Sequence, residues 1–281
     1  MSARTIDPER TPPGSPLHYA ILAVLALVCL LPMVLMGITS FKTEAQIFDT
    51  RWSWLFVPTL ANYQAVVQEG NIDRYLLNSL KISLAATLLT LMLGTMCAYA
   101  MARFRFLGRE PLSYATLILR TLPPAVLAVP AYVIWSAWGI SDTLSGVVLV
   151  YVALNLPFTI WLLYGFIEQV PVELEEAAAI DGCGPFQVFY KVVLPLLKPG
   201  LAAASIFTFR LAWNEFILSF ILTNRVTRTL PASISNYITD TGVEWGKITA
   251  AGVLIALPPL IFTFVAAKQI ITGLTAGAVK G

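Results

Sequence analysis

Long runs of apolar residues, separated by polar connections, dominate the pattern along this 281-residue chain. A helix rises about 1.5 Å per residue, so each run is long enough to cross a hydrocarbon core of about 30 Å. The pattern therefore predicts membrane-spanning helices. The six predicted spans are Leu17–Thr39, Ile82–Ala102, Leu112–Trp138, Leu144–Ile167, Leu201–Thr223 and Ile248–Ala267.

The first run is longer than the apolar core of a signal peptide, which has about 7–15 residues, and no clear A-x-A cleavage site follows it. We therefore expect an uncleaved first helix. Prolines interrupt two later runs, at Pro123, Pro124 and Pro130 in the third and at Pro258-Pro259 in the sixth. Each proline removes a backbone donor and predicts a kink, which can line a cavity or only shape the bundle.

Basic residues give the predicted orientation. Arg103, Arg105 and Arg109 lie between the second and third spans, whereas residues 139–143 of the next connection contain no Lys or Arg. The positive-inside rule places this arginine-rich loop in the cytoplasm, together with both termini and residues 168–200. Counted over all loops, the bias is weaker, so the short loops decide the prediction.

Composition agrees with a membrane protein and excludes several functions. Hydrophobic residues make up 57% of the chain and charged residues 12%, about half the share in a soluble domain. The net charge of +2 is too small to indicate nucleic-acid binding. His18 is the single histidine, which excludes a His-based zinc site or a Ser-His-Asp triad within this chain. We expect the three cysteines to be structural thiols, and we predict no catalytic residue and no metal site.

A polar insert, "EEAAAIDGCGPFQVFYKVVLPLLKPG" from Glu175 to Gly200, stands out from the apolar background. Its acidic residues suit the first turns of a helix, and Gly182 suits the end of that helix. Pro185 can begin a second helix, which Leu194-Pro195 would stop. Phe186, Phe189, Tyr190 and Val193 recur at helical spacing and predict one stripe, mostly aromatic, along that second helix. The insert is therefore a helix–turn–helix, either lying on the membrane surface or docking into a partner's groove.

The spacing within the insert resembles the EAA loop of ABC importer permeases. Glu176-Ala177-Ala178 is followed after three residues by Gly182, and after nine more by Val192 and then Leu194-Pro195. The family usually has Ile where Val192 stands. "AWNEF" at residues 212–216, "GLTAGAVKG" at 273–281 and the stretch around the second span are similar to the carbohydrate-importer group, of the maltose inner-membrane type.

This resemblance implies an all-α integral membrane protein with six transmembrane helices, the type I ABC importer permease fold, and a cytoplasmic EAA loop. The predicted divisions are a disordered cytoplasmic tail (1–16), a first helix (17–39), a periplasmic segment (40–77), a permease core (78–270) that contains the EAA loop (168–200), and a cytoplasmic C-terminal tail (271–281).

The resemblance also implies a non-catalytic permease subunit of an ATP-driven sugar or polyol importer in the bacterial inner membrane, forming half of the translocation pathway. Its implied partners are a second permease subunit, a cytoplasmic ATPase dimer, a periplasmic sugar-binding protein and membrane lipid. No cofactor is expected in this chain, which lacks a G-x-x-x-x-G-K-[ST] motif, so ATP and Mg belong to the ATPase. The implied ATPase-coupling residues are Glu176, Ala177, Ala178, Gly182, Phe186, Leu194 and Pro195.

Polar residues inside the apolar runs are candidates for the translocation pathway. A charge at the bilayer centre costs about 2.5–3.5 kcal/mol on insertion scales, so each requires a partner or water. Asn214 and Glu215 either line the pathway or fix helix packing. Tyr132 and Asn155 could contact a sugar or serve in packing, and Arg120 is expected to reach toward the cytoplasmic surface.

Two other functions stay open at this point. An ion-coupled secondary transporter or channel subunit would require an intramembrane acid, for which Glu215 is the one good candidate. A membrane scaffold that only recruits an ATPase is the other. The segment Asn224–Lys247 resembles the part of similar permeases that faces the binding protein, and a plain connector is the other interpretation.

Overall fold

The computed structural model describes residues 16–49, 55–240 and 242–278; within them, the side chains of residue 69 and of residues 266–278 are not described. The predicted tail, residues 1–16, lies outside this part apart from Pro16. The helices are α1 (Pro16–Ser40), α2 (Glu44–Ile47), α3 (Ala61–Glu69), α4 (Ile72–Arg103), α5 (Arg109–Arg120), α6 (Pro124–Ala137), α7 (Leu144–Glu168), α8 (Val172–Ile180), α9 (Pro185–Val188), α10 (Leu194–Leu196), α11 (Lys198–Trp213), α12 (Ile217–Leu222) and α13 (Trp245–Ala278).

Shorter elements complete the chain. A π-helical turn, Phe189–Val193, joins α9 to α10, and a 3₁₀ helix covers Ala232–Tyr237. Two strands, β1 (Ile238–Thr239) and β2 (Gly242–Val243), form a small antiparallel pair. The prediction of an all-α architecture is therefore confirmed, with this two-residue ladder as a minor exception.

Four of the described helices are long and apolar enough to cross a membrane alone: α1, α4, α7 and residues 245–265 of α13. The number rises to six if each of two bent helix pairs counts as one span. These pairs are α5 with α6, bent by 102°, and residues 185–196 with α11, bent by 74°. The described residues therefore contain four to six candidate membrane spans, two of which would be broken.

The third predicted span is one of the broken crossings. The run Leu112–Trp138 forms α5 and α6 rather than one kinked helix, because the backbone of Pro123 is extended, with ψ of 139°, before Pro124 begins α6. A proline sterically disfavours helical geometry in the residue before it, so consecutive prolines end one helix where the next begins. Pro130, in contrast, lies inside α6.

The fifth predicted span, Leu201–Thr223, is also divided. α11 ends at Trp213, and α12 begins at Ile217 after three intervening residues that include Asn214 and Glu215. The sixth span is a continuous helix through Pro258 and Pro259, and it extends beyond its predicted end at Ala267 to Ala278.

The core forms between α4 and α7, which run parallel. Ile82 and Ala86 near the start of α4 pack in one cluster with Val147 and Tyr151 near the start of α7. Ala98 and Met101 near the end of α4 share a second cluster with Ile160, Leu163 and Ile167 near the end of α7. The ends of α4 and α7 therefore lie together at one end of the bundle, which we call the EAA-loop end because residues 168–200 follow α7 there.

The helices α4 and α7 approach most closely at a glycine. A Cβ atom added to Gly94 of α4 would lie 2.9 Å from Cγ2 of Thr159 on α7. Thr159 is fully buried, and its hydroxyl shares a hydrogen bond of 3.0 Å with that of Thr208 on α11. Small residues that let backbones approach, together with hydroxyl bonds between helices, are typical of membrane-helix packing.

The helix α1 lies on the outside of the bundle. No residue in its most apolar 18-residue window is buried, and large apolar side chains such as Leu27 and Met33 are exposed. It packs against α13, where Met36 Sδ would lie 3.1 Å from a Cβ atom added to Gly252. Such an apolar outer face suits contact with hydrocarbon rather than water.

Candidate functional site

The first half of the EAA loop folds as its sequence predicts. Pro171 precedes α8, and Glu173 and Glu175 lie in the first turn, where the helix dipole favours negative charge. Gly182 has a φ of +88°, and the N–H of Cys183 donates to the carbonyl of Ala178 at 3.0 Å. A left-handed residue that returns the chain in this way is the common end of a helix, and it favours glycine.

The second half departs from its prediction. Pro185 begins α9 as expected, but Leu194-Pro195 does not stop the helix, which continues through the π turn and α10 to Leu196. Pro195 has no N–H to donate to the carbonyl four residues earlier. In the preceding π turn, the hydrogen bonds span five residues instead of four, and the N–H of Leu194 bonds to the carbonyl of Phe189. The chain then bends by 74° into α11.

The aromatic residues of this half do not form one stripe, so that prediction is wrong. Phe186 and Tyr190 are 85% and 70% exposed. Phe189 instead turns toward the bundle, with its ring centroid 4.9 Å from that of Tyr99 on α4, and Val193 is fully buried. The two pairs, four residues apart in each case, occupy different faces of the same helix.

An anchor that the sequence pattern did not predict joins the EAA loop to the bundle. Glu175 is 8% exposed, and its Oε1 accepts a hydrogen bond from Nε of Arg103 at 2.6 Å. Its Oε2 accepts from the hydroxyl of Tyr99 at 2.8 Å. Nη2 of Arg103 also donates to the carbonyls of Ile167 and Val170 at 2.9 and 2.7 Å. Glu175 thus ties α8 to the ends of both α4 and α7.

The implied ATPase-coupling residues lie mostly on the outer side of the loop. Glu176, Ala177, Gly182, Phe186 and Pro195 are exposed, whereas Ala178 and Leu194 are half-buried. Ile180, at 86% exposure, adds an apolar side chain that the prediction did not include. We call Ile180, Phe186 and Tyr190 the outer patch. An exposed apolar patch rimmed by polar residues is typical of a protein-interaction surface.

A cavity of about 710 Å³ lies where α5, α6, α7, α11 and α12 meet. Three of the four predicted pathway residues, Asn155, Asn214 and Glu215, line it together. Tyr132 does not, and it lies 47% exposed on α6. The cavity is lined partly by aromatic rings and partly by polar groups: Phe158, Phe207, Phe216, Arg120, Asn155, Arg210, Asn214 and Glu215.

Glu215 is held by the backbone that follows it. Its two carboxylate oxygens accept from the N–H of Leu218 at 3.1 and 2.9 Å, and Oε2 also accepts from the N–H of Ser219 at 3.2 Å. The hydroxyl of Tyr151 on α7 donates to Oε2 at 3.2 Å. The carboxylate therefore satisfies free donors at the start of α12, which is the reason the chain can break between α11 and α12.

Arg120 is exposed at the end of α5 and is held by aromatic rings of a neighbouring helix. Its guanidinium stacks over the rings of Phe158 and Trp161 on α7, at 4.7 and 5.0 Å from the centroids. Aromatic faces attract a cation electrostatically, which keeps the side chain at the cavity. Arg210, one turn before the end of α11, lines the same cavity.

At the opposite end of the bundle, the segment Asn224–Lys247 is fastened to α4. The side-chain amide of Asn78 donates to the carbonyls of Val226 and Arg228 at 2.9 and 3.1 Å. The N–H of Leu230 donates to Oγ of Ser79 at 2.7 Å. Residues 226–230 are therefore fixed against the start of α4.

Comparison with known proteins agrees with this architecture. Residues 90–274 match the family described as binding-protein-dependent transport system inner membrane component. The chain is 35% identical to the trehalose transport system permease protein SugB of Mycobacterium tuberculosis, over 94% of this chain and 97% of that one. It is 34% identical to the sulfoquinovosyl glycerol transport system permease protein SmoH of Agrobacterium fabrum, over 95% of each chain.

A solved structure shares the fold. A chain of a bacterial ABC transporter involved in the import of the acidic polysaccharide alginate superposes with a TM-score of 0.74, covering 92% of this chain and 99% of that one at 18% identity. The resemblance of this chain to ABC importer permeases is thereby confirmed. This chain belongs to the family of inner membrane components of binding-protein-dependent transport systems.

Proposed function

We propose that this chain is a permease subunit of an ATP-driven importer for a saccharide or related polyol. Relatives with more than nine-tenths of their length in common are named as permeases for trehalose and for sulfoquinovosyl glycerol. The observation that carries the proposal is the EAA loop, which presents an exposed apolar patch while Glu175 fastens it to two core helices.

In this proposal, the outer patch docks into a cytoplasmic ATPase dimer, which binds the ATP and Mg. Glu176, Ala177, Ala178 and Gly182 shape the docking face, and Leu194 with Pro195 sets the bend into α11. Because Glu175 holds α8 against the ends of α4 and α7, a displacement of the loop is transmitted to the helices of the core. Closure of the ATPase dimer on ATP binding would in this way move the helices of the bundle.

The cavity lined by Asn155, Asn214 and Glu215 would form this subunit's share of the translocation pathway, completed by a second permease subunit. Its size suits a small ligand, since ligand pockets are about 300–1,000 Å³. The segment Asn224–Lys247, at the opposite end from the EAA loop, would face a periplasmic binding protein. This arrangement requires both termini and the EAA loop to be cytoplasmic.

The alternative of an ion-coupled transporter finds less support in the geometry. Its candidate acid, Glu215, has both oxygens engaged by the backbone of α12. A carboxylate committed to capping a helix is a poor site for reversible ion binding, because its release would leave backbone donors unpaired.

Uptake in right-side-out membrane vesicles tests the proposed function. Vesicles from the parent strain should accumulate a saccharide when ATP is enclosed in the lumen and the binding protein is added outside. Vesicles from a strain that lacks this chain should not. Uptake that follows an imposed ion gradient without ATP, and that disappears with the chain, would favour the ion-coupled alternative and contradict the proposal.

A further inference from the structure

Two arginines face the same cavity from different helices. Arg120 comes from the end of α5 and Arg210 from the last turn of α11, and both belong to the cavity lining. Arg120 is held by the rings of Phe158 and Trp161, which leave its N–H groups free to donate in the plane of the guanidinium. Within the described residues, no carboxylate forms an ion pair with either arginine.

The acid in the same lining does not balance these charges. Glu215 is 8% exposed, and its oxygens accept from the N–H groups of Leu218 and Ser219 and from the hydroxyl of Tyr151. Its charge is therefore directed at the start of α12. The cavity wall therefore presents two guanidinium groups without a carboxylate partner in the described part of the chain, and Asn155 and Asn214 belong to the same lining.

Such a lining selects for an anion. A guanidinium within membrane-spanning helices is unfavourable unless water or a partner compensates it. Carboxylate, sulfonate and phosphate groups offer the paired oxygens that match its planar donors, in short charge-assisted bonds. The rings of Phe158, Phe207 and Phe216 provide flat apolar surface beside these donors.

We propose that the cargo is a saccharide carrying an anionic group, whose acidic oxygens bind Arg120 and Arg210 during passage. This inference rests on the proposed function and adds the class of substrate. The cavity volume of about 710 Å³ accommodates a small saccharide. A carboxylate of the second permease is the alternative partner for the two arginines, and substitution of the arginines separates it from the cargo.

Competitive uptake by intact cells tests the substrate class. The parent strain and a strain lacking this chain are given a mixture of paired saccharides, such as glucose with glucuronate and galactobiose with digalacturonate, together with sulfonated and phosphorylated sugars. Depletion from the medium is followed by mass spectrometry. We expect the deletion to lower uptake of an acidic saccharide at least tenfold and to spare the neutral partner.

The other outcomes separate the two proposals. Loss of neutral saccharides alone would overturn the anionic inference and leave the proposed function standing. A deletion that changes uptake of no saccharide in the mixture would contradict the proposed function and the inference together.

Substitution of the arginines tests their role. Complementation with Arg210→Gln or Arg120→Gln should lower uptake of the acidic saccharide tenfold or more, and Arg210→Lys should be intermediate because it retains charge without the planar fork. Arg105→Gln, an exposed arginine outside the cavity, is the matched control and should transport at the native rate. Immunoblots of the membrane fraction normalise each variant to its abundance.

Two results would overturn the assignment. One is native uptake of the acidic saccharide by both glutamine variants. The other is a loss of the second permease from the purified complex in step with the loss of uptake, because that result would identify a subunit carboxylate as the arginines' partner.

Discussion

Glu175 and Arg103 lie 72 positions apart in sequence and are joined by a hydrogen bond of 2.6 Å between Oε1 and Nε. Their side chains are only 10% and 12% exposed, so water screens this ion pair little. The same guanidinium binds two carbonyls at the end of α7. One pair of residues thus fastens the EAA loop to the two central helices of the bundle.

Removal of the anchor should uncouple the loop from the bundle. In Glu175→Ala, Arg103 and the hydroxyl of Tyr99 lose their acceptor, and breaking a buried pair in this way costs about 3–5 kcal/mol. We expect uptake to fall at least tenfold while the protein still reaches the membrane. The measurement is uptake per immunoblotted permease, with Glu110→Gln, an exposed acid at the start of α5, as the control.

A double-mutant cycle shows whether the pair acts as a unit. Glu175→Ala and Arg103→Ala should each impair uptake, and the double variant should be little worse than either single variant, because residues in one hydrogen-bond network are not additive. Independent, multiplicative losses would contradict the role of this pair as a single anchor.

Gly182 should resist substitution because of its backbone and not because of its neighbours. Its φ is +88°, yet a Cβ atom placed there meets nothing within 4 Å. Gly182→Ala should therefore strain the turn by about 1–2 kcal/mol without a clash, and Gly182→Val should abolish most uptake. Gly184 is the matched control, since it also has open space but an ordinary φ of −70°. Gly184→Ala should transport within twofold of the native rate.

The outer patch should carry the affinity for the ATPase. Truncation of an aromatic anchor at an interface commonly costs about 2 kcal/mol or more. We expect Phe186→Ala and Tyr190→Ala to reduce co-purification of the ATPase at least tenfold. Leu107→Ala, which removes an equally exposed apolar side chain from the loop between α4 and α5, should leave it unchanged. Equal losses in all three variants would show that the patch has no particular role.

The close approach of α4 and α7 predicts a difference between two glycines. A Cβ at Gly94 would lie 2.9 Å from Cγ2 of Thr159, whereas one at Gly165 meets nothing within 4 Å. Alanine improves helix propensity by about 1 kcal/mol at either site, but overpacking at Gly94 costs about 1–3 kcal/mol. Gly94→Ala should therefore melt at a lower temperature in detergent than Gly165→Ala. Identical melting temperatures would contradict the packing described for these helices.

Apolar run length predicted that the long apolar stretches are helical, because an unpaired backbone cannot face hydrocarbon. It could not predict that Leu112–Trp138 turns by 102°, since proline alone permits either a kink or a full break. The division near Glu215 was also unpredictable, because it depends on a side chain that caps the helix following it.

Some features of the site were predictable from local sequence, and others depend on contacts between distant residues. Spacing identified Gly182 and Pro185 as helix boundaries, since their backbone preferences act locally. Glu175 was missed in favour of Glu176, because the rotation of α8 against the bundle decides which of two neighbouring acids is buried. The position of Arg103 at the end of α4 indicated that it could bind an acid of the loop, but the sequence did not show which acid, because the partner lies 72 residues away. The stacking of Arg120 was not predicted, because the rings that hold it belong to another helix.

Simultaneous measurement of ATP hydrolysis and saccharide uptake in proteoliposomes that contain the complete transporter shows whether Glu175 couples the two. The native complex should take up saccharide only when ATP is supplied on the EAA-loop side. The Glu175→Ala complex should retain ATP hydrolysis and lose at least nine-tenths of its uptake per ATP. Uptake that proceeds without ATP, or an unchanged ratio of uptake to hydrolysis in Glu175→Ala, would contradict the account.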